Sequence, residues 1–301
     1  MNSNTIKIAP DLSFSRIVHG YWRLKDWNLT TAQISTLLNE ALELGISTID
    51  HADIYGDYEC EAIFGEALKD NSSLRDKLQL VSKCGIMLLS DKYPKRIVKH
   101  YDYSEAHIIK SAEQSLQNLH TDRLDLLLLH RPSPYYDPAQ VASAFDRLKK
   151  EGKVRHFGVS NFTPSQLSSL QSYCDMPLVT NQIEVSVGCL EHFDNGNIDY
   201  LLEKRMHPMA WSPLGGGAFF KEDYMNKPVV QAVHQVASQL EIDDISQVMY
   251  AWLLNHPVGI LPIVGSSNIG RIKSAVDALK IKLNYQQWFK IYEAVLGHEV
   301  P

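Results

Sequence analysis

Five apolar runs of strand length in this chain each end on a polar, chemically capable residue. They are Ile46–Asp50, Leu78–Lys83, Leu124–His130, Val154–Asn161 and Leu178–Gln182. A strand buried on both faces has no packing reason to finish on Asp, Lys, His, Asn or Gln each time. In a (β/α)8 barrel it has one, because the C-terminal ends of all the strands open onto a single shared site.

The segments between these runs have the length and periodicity of amphipathic helices, the alternation expected of βαβ units and a parallel sheet. Thr30 and Gln33 form a capping-box pattern ahead of Ile34, Leu37, Leu38, Ala41 and Leu42 at helical spacing, and Gly45 stops that helix. Thr163-Pro164 places proline at the first position of another helix. Further helices are expected around 61–68, 104–119, 139–150, 228–240, 245–254, 271–279 and 285–295. Strands ending at Trp211 and spanning Gly259–Val264 bring the count from Ile46 onward to seven, and Ser15–Trp22 supplies an eighth. Ahead of it, Ile6–Ile8 and Leu12–Phe14 flank Pro10-Asp11 as a small hairpin that could close the barrel floor. No low-complexity stretch or Ser/Gly linker divides the 301 residues. The expectation is one domain, residues 1–301, an α/β TIM barrel with an N-terminal β-hairpin.

Composition excludes several other roles. A net charge of −6 gives no basic footprint for nucleic acid. The longest aliphatic run, Leu126–Leu129, is far too short to span a bilayer, and Met1–Lys7 has no apolar targeting core. These features read as a cytoplasmic chain with no membrane partner. Cys60, Cys84, Cys174 and Cys189 have no CxxC spacing, which points to free thiols, with neither a metal site nor a disulfide framework.

The strand ends carry a specific chemistry. Asp50, Lys83 and His130 terminate successive strands about 4.8 Å apart and so form a polar row. Tyr55 lies five residues beyond Asp50, in a loop that can reach over that row. A tyrosine is a weak acid near neutrality, with a reference pKa of about 10. An adjacent Lys83 ammonium, held by Asp50, is expected to lower it. His130 adds a neutral donor to orient a carbonyl oxygen. Together they make an acid able to protonate a developing alkoxide.

The segments Asp50–Gly56, Val81–Lys83, Leu127–Pro132, Gly158–Phe162, Asn181–Glu184, Trp211–Gly217 and Val264–Ile272 resemble, in order, the motifs of the aldo-keto reductases. The resemblance implies a reductase that passes hydride from NADPH to an aldehyde or ketone, a small carbonyl substrate. Asp50, Tyr55, Lys83 and His130 would be the catalytic tetrad, with Tyr55 as general acid. Ser160, Asn161 and Gln182 would bond the nicotinamide carboxamide, and Trp211 would stack on its ring. Gly20, Tyr21 and Trp22 would border the nicotinamide. Ser212, Leu214 and Gly216, in a run of three glycines, would bring backbone close to the pyrophosphate. Gly265, Ser266, Ser267, Asn268 and Arg271 would meet a terminal phosphate at a helix N-terminus, which makes NAD the less favoured cofactor. Ser274 and Ala275 depart from the family, which often has an acid and an Asn there to contact the adenine.

Trp22, Tyr93, Tyr135 and Phe219 lie on candidate mouth loops, of which 86–103 and 218–226 are the longest. Two other readings use the same fold. A cofactor-bound, redox-sensing regulatory subunit would turn over slowly and associate with a membrane partner. A metal-dependent isomerase or hydrolase would need converging carboxylates and histidines where this chain has Lys, Asn, Gln and Trp.

Overall fold

The computed structural model describes residues 4–69, 71–225 and 227–301. Met1–Ser3 of the N-terminal stretch and Asn226 at the end of one mouth loop therefore lie outside the described residues.

Eight parallel strands close into a barrel in chain order. After the hairpin strands β1 (Thr5–Ala9) and β2 (Leu12–Ser15), the barrel begins with β3 (Val18–Gly20), β4 (Thr48–Asp50) and β5 (Gln79–Cys84). A two-stranded excursion, β6 (Ile86–Met87) paired with β7 (His100–Tyr101), lies within the 86–103 stretch that was expected to be irregular. The barrel continues with β8 (Leu124–Leu129), β9 (Val154–Ser160), β10 (Leu178–Glu184), β11 (Met209–Trp211) and β12 (Leu261–Val264), which pairs with β3.

Strand alternation decides which residues reach the site. In β5, Val81 packs inside the barrel while Leu80 packs outward under the helices. Lys83, two residues past Val81, therefore also points inward. In β8, Leu126 and Leu128 point inward and Leu127 and Leu129 outward, so His130 follows the inner series. β10 breaks this parity. Its pairing with β9 shifts register between Leu178 and Asn181. Val179 packs in the barrel interior, yet Gln182 reaches Asp50 inside while Asn181 turns outward to the Phe162 carbonyl. One irregularity thus determines which amide enters the site.

The hairpin closes the floor as expected. Leu12 and Phe14 pack with Val18, Val81, Leu126, Leu128 and Leu261 inside the barrel. Ser15 and Thr48 exchange hydrogen bonds, the Thr48 amide donating to Ser15 Oγ at 3.0 Å and the Ser15 amide to Thr48 Oγ1 at 2.9 Å. Arg155 holds the turn by donating to the Asp11 carbonyl at 2.9 Å. With the floor filled by side chains, the C-terminal end is left for a ligand. No helix among the described residues is long and apolar enough to cross a membrane.

Candidate active site

The cleft over the strand C-termini has a volume of about 1000 Å³. At its base Lys83 is fully buried, and its Nζ donates to both Asp50 oxygens at 2.9 and 2.8 Å, to the His51 carbonyl at 2.7 Å and to Tyr55 Oη at 2.9 Å. Gln182 Nε2 donates to Asp50 Oδ1 at 2.8 Å. The Tyr55 hydroxyl is thus pinned to a cation whose charge is balanced on its far side by Asp50. The His130 ring meets Tyr55 edge-on, with centroids 5.9 Å apart.

Tyr55 reaches this position through a strained turn. Gly56, Asp57 and Tyr58 all take left-handed backbone, with φ of 58°, 56° and 67°. Glycine accepts this readily, while Asp and Tyr do so at a cost of about 1–3 kcal/mol each. Neighbours hold the turn in place. Arg96 Nη1 and the Leu88 amide donate to Tyr58 Oη at 2.6 and 3.0 Å, and Lys92 Nζ donates to the Asp57 carbonyl at 2.6 Å. The 86–103 loop is therefore tied to the segment that carries Tyr55.

The electrostatics correct one expectation. Lys83 was expected to lower the Tyr55 pKa. Burial instead raises it above the usual phenol value, and the Lys83 ammonium offsets only part of that rise. Near neutrality Tyr55 is firmly protonated, the form an acid needs. Burial opposes the charge on Lys83, but Asp50 and Tyr55 outweigh it, and its pKa rises. Burial pushes the His130 pKa well below its ordinary value, helped by the positive charges of Lys83, Arg131 and Lys99. The imidazole is therefore neutral, and its Nδ1 is buried without a partner.

Behind Lys83, Asp53 Oδ2 accepts from Ser111 Oγ at 2.7 Å, while its Oδ1 is buried without a partner. Burial pushes this carboxyl up to about 8. A raised folded-state value means the stabilising proton is fully present below the unfolded value of 3.8 and is lost as pH rises to about 8. Asp53→Asn should therefore gain stability relative to the parent chain between pH 5 and pH 8. Melting curves at both pH values check this, and a gap that does not change with pH would remove the assignment.

Of the expected cofactor residues, Gly20, Trp22, Trp211, Ser212, Leu214, Gly216, Gly265, Ser266 and Arg271 line the cleft. Tyr21 does not, which corrects its expected place beside the nicotinamide. It is fully buried, packed against His51 and Phe64, because the residue alternate to Gly20 on this wall faces the helices. Its hydroxyl bonds His19 Nδ1 at 3.1 Å, and His19 Nε2 bonds the Ser266 carbonyl at 2.9 Å. A carbonyl can only accept, so Nε2 carries the proton and Tyr21 donates to Nδ1. Tyr21 thus braces the cleft wall from behind.

Ser160, Asn161 and Gln182 also lie off the cleft surface, bonded to one another and to their neighbours. Ser160 Oγ donates to the Gln182 carbonyl at 2.9 Å, and Asn161 Nδ2 donates to Ser160 Oγ at 2.8 Å. Trp211 Nε1 donates to Asn161 Oδ1 at 2.9 Å. Ser267 is exposed beside the cleft, and Asn268 Oδ1 accepts the Arg271 amide at 3.1 Å, capping the helix Ile269–Asp277. Of the candidate mouth aromatics besides Trp22, Tyr93 packs on Tyr58 and Arg96, Tyr135 is 92% exposed, and Phe219 is buried beneath Gly188 and Gly215. Phe220 lines the cleft in its place.

Several lining residues were not singled out from sequence: Arg23, Lys99, Arg131, Asp244, Ser246 and Tyr250. Arg131 directly follows His130 in the Leu127–Pro132 segment and could have been found there. Asp244 gives no signal beyond helix capping, its Oδ1 accepting the Ser246 amide at 2.9 Å. Burial opposes its charge, but hydrogen bonds from Ser274 and Ser246 prevail and hold the carboxyl below its usual value.

Among the described residues, no group of three His, Cys, Asp or Glu side chains is placed to hold a metal ion. The cleft does suit an extended anionic cofactor. Gly216 and Gly217 have left-handed φ of 64° and 92°, and a Cβ on either would project into open space. Arg271 forms no ion pair among the described residues.

The family model described as "Aldo/keto reductase family" matches residues 16–295. The chain is 49% identical to the uncharacterized oxidoreductase YcsN of Bacillus subtilis (strain 168), over 98% of this chain and 99% of that one. It is 44% identical to a 6-dehydroglucose reductase of Agrobacterium fabrum, over 98% and 99%. Among solved structures, an aldo/keto reductase of Klebsiella pneumoniae in complex with NADP and acetate superposes with a TM-score of 0.77 at 23% identity, over 99% of this chain and 96% of that one. A family match spanning the barrel, with relatives almost half identical end to end, makes the chain an oxidoreductase belonging to the aldo/keto reductase family.

Proposed function

We propose that this enzyme reduces an aldehyde or ketone to an alcohol with NADPH, with Tyr55 as the general acid. The observation that carries the reading is the 2.9 Å bond from Lys83 Nζ to Tyr55 Oη at the base of a cleft that extends to Arg271. When bound, the reduced nicotinamide would supply the hydride. The chain supplies the remainder. Trp211 would cover the nicotinamide ring, with Ser160, Asn161 and Gln182 grouped beside it for the carboxamide. Leu214, Gly216 and Gly217 offer backbone to the pyrophosphate. Ser266, Ser267, Asn268 and Arg271 gather around a helix N-terminus, where an anionic phosphate is favoured.

At the other end, the neutral His130 imidazole carries one N–H that can orient the carbonyl oxygen. As the carbonyl carbon is reduced, Tyr55 gives its proton to that oxygen. The tyrosinate left behind is held by the Lys83 ammonium, already 2.9 Å away. Such positioned proton transfer contributes typically ~10²–10⁴-fold. At the adenine end, Asp244 takes over part of the work left by Ser274 and Ala275, because it lines the cleft and is tied to Ser274. That carboxylate is suited to accept from an exocyclic amine.

A panel of aldehydes and ketones, including 6-dehydroglucose, should oxidise NADPH faster than NADH. Arg271→Leu should raise the KM for NADPH by about 10–100-fold, the loss of one or two charge-assisted hydrogen bonds, and leave NADH nearly unaffected. Equal use of both cofactors by the parent enzyme would remove NADP from the reading. Absence of oxidation with any carbonyl would remove the reductase assignment itself.

A further inference from the structure

We propose that the natural substrate carries an anionic oxyacid group beside its carbonyl, and that Arg131 binds this group with help from Lys99 and Arg23. The inference rests on the reductase reading and names its substrate class. All three cations line the cleft, as do Tyr55, His130 and Trp211, and the charges of Arg131 and Lys99 act on His130 at its catalytic end. Among the described residues two carboxylates line the cleft, and the first, Asp50, is already paired with Lys83. The other lining carboxylate, Asp244, belongs to the Arg271 end, tied to Ser246 and Ser274.

The Arg131 guanidinium lies 5.4 Å from the centre of the Trp211 ring and forms no hydrogen bond or ion pair among the described residues. It does act on its surroundings. Its charge helps depress the His130 pKa and draws down that of Tyr55, and it tempers the rise that burial imposes on Glu184. Glu184 is half-buried outside the cleft lining and is not paired with it. Lys99 also acts on His130 and is likewise without an ion pair among the described residues. A planar guanidinium left with its donors free beside a reacting centre matches the two oxygens of a carboxylate, phosphate or sulfonate. Arg131 is also the residue after His130, so one backbone segment fixes the spacing between the carbonyl and the anion. Lys99 and Arg23, both exposed, would draw an anionic substrate toward the mouth.

The test compares 4-carboxybenzaldehyde with 4-carbamoylbenzaldehyde, similar in size and differing in charge. The parent enzyme should favour the carboxylate in kcat/KM by about tenfold to a hundredfold, and Arg131→Met should collapse that ratio toward one through KM. Lys99→Met should reduce the ratio less and weaken its dependence on salt. The Kd of NADPH, from fluorescence titration, should change less than threefold in Arg131→Met. A larger change would show that Arg131 serves the cofactor and would overturn the proposal, as would equal use of the two aldehydes. Benzoate quenching of tryptophan fluorescence reads the same site without turnover. It should saturate in the parent chain, weaken in Arg131→Met and be absent with benzamide. If neither aldehyde nor any other carbonyl is reduced, the reductase reading fails. If the aldehydes are reduced but benzoate does not bind, only the anion site fails.

Discussion

Tyr55→Phe should lower kcat for carbonyl reduction by about 10²–10⁴-fold, with NADPH affinity and melting temperature near those of the parent chain. The ring packs against the core that also holds Cys84 and Tyr103, and phenylalanine keeps that packing. What is lost is the hydroxyl that Lys83 Nζ meets at 2.9 Å. The pH profile separates this role from a structural one. Tyr55 is held protonated by burial, and His130 is neutral because burial and the cations beside it resist a second proton. The parent enzyme should therefore show no loss of kcat from either group near neutrality and a fall only at alkaline pH, as Tyr55 ionises. In Tyr55→Phe the alkaline fall should disappear with the rate. Single-turnover measurements under saturating cofactor read this step directly. A variant that keeps its rate, or keeps the alkaline limb, would mean that another group delivers the proton.

The sequence shows the barrel because its evidence is repeated and local. Each apolar run, cap and stop is short-range, and eight repeats reinforce one another. The inward direction of Lys83 and His130 was legible for the same reason, since period-two alternation carries Val81 and Leu128 on to them. Where a site residue depends on something non-local, the sequence is silent. Gln182 enters the barrel because β10 shifts register against β9 between Leu178 and Asn181, and no side chain announces that shift. Tyr21 sits next to two residues that do line the cleft, and only the facing of the wall excludes it. Asp244 is more than two dozen residues from Arg271 along the chain and joins its end of the cleft through Ser274. The sign of the Tyr55 shift was also out of reach. It is a balance between burial and one cation, and burial is a property of the folded site.

Lys83→Met should combine near-complete loss of activity with a stability loss of about 3–5 kcal/mol, the usual cost of leaving one partner of a buried ion pair behind. Asp50 would keep Gln182 Nε2 as a donor at 2.8 Å but lose two contacts with the ammonium. Tyr55 would lose both its hydrogen-bond partner and the cation that tempers its raised pKa, leaving a weaker acid and an unsupported tyrosinate. The informative comparison is with Lys83→Met/Asp50→Leu. A buried pair replaced by apolar residues of similar size often loses little stability or gains some, so the double variant should recover most of the single variant's deficit. It should recover none of the activity. Urea unfolding at pH 7 gives the first quantity and NADPH oxidation the second. If the double variant stays as unstable as the single one, the pair holds the barrel together and catalysis uses it incidentally. If stability returns and activity does not, the pair is kept for its charge beside Tyr55, and the fold could have done without it.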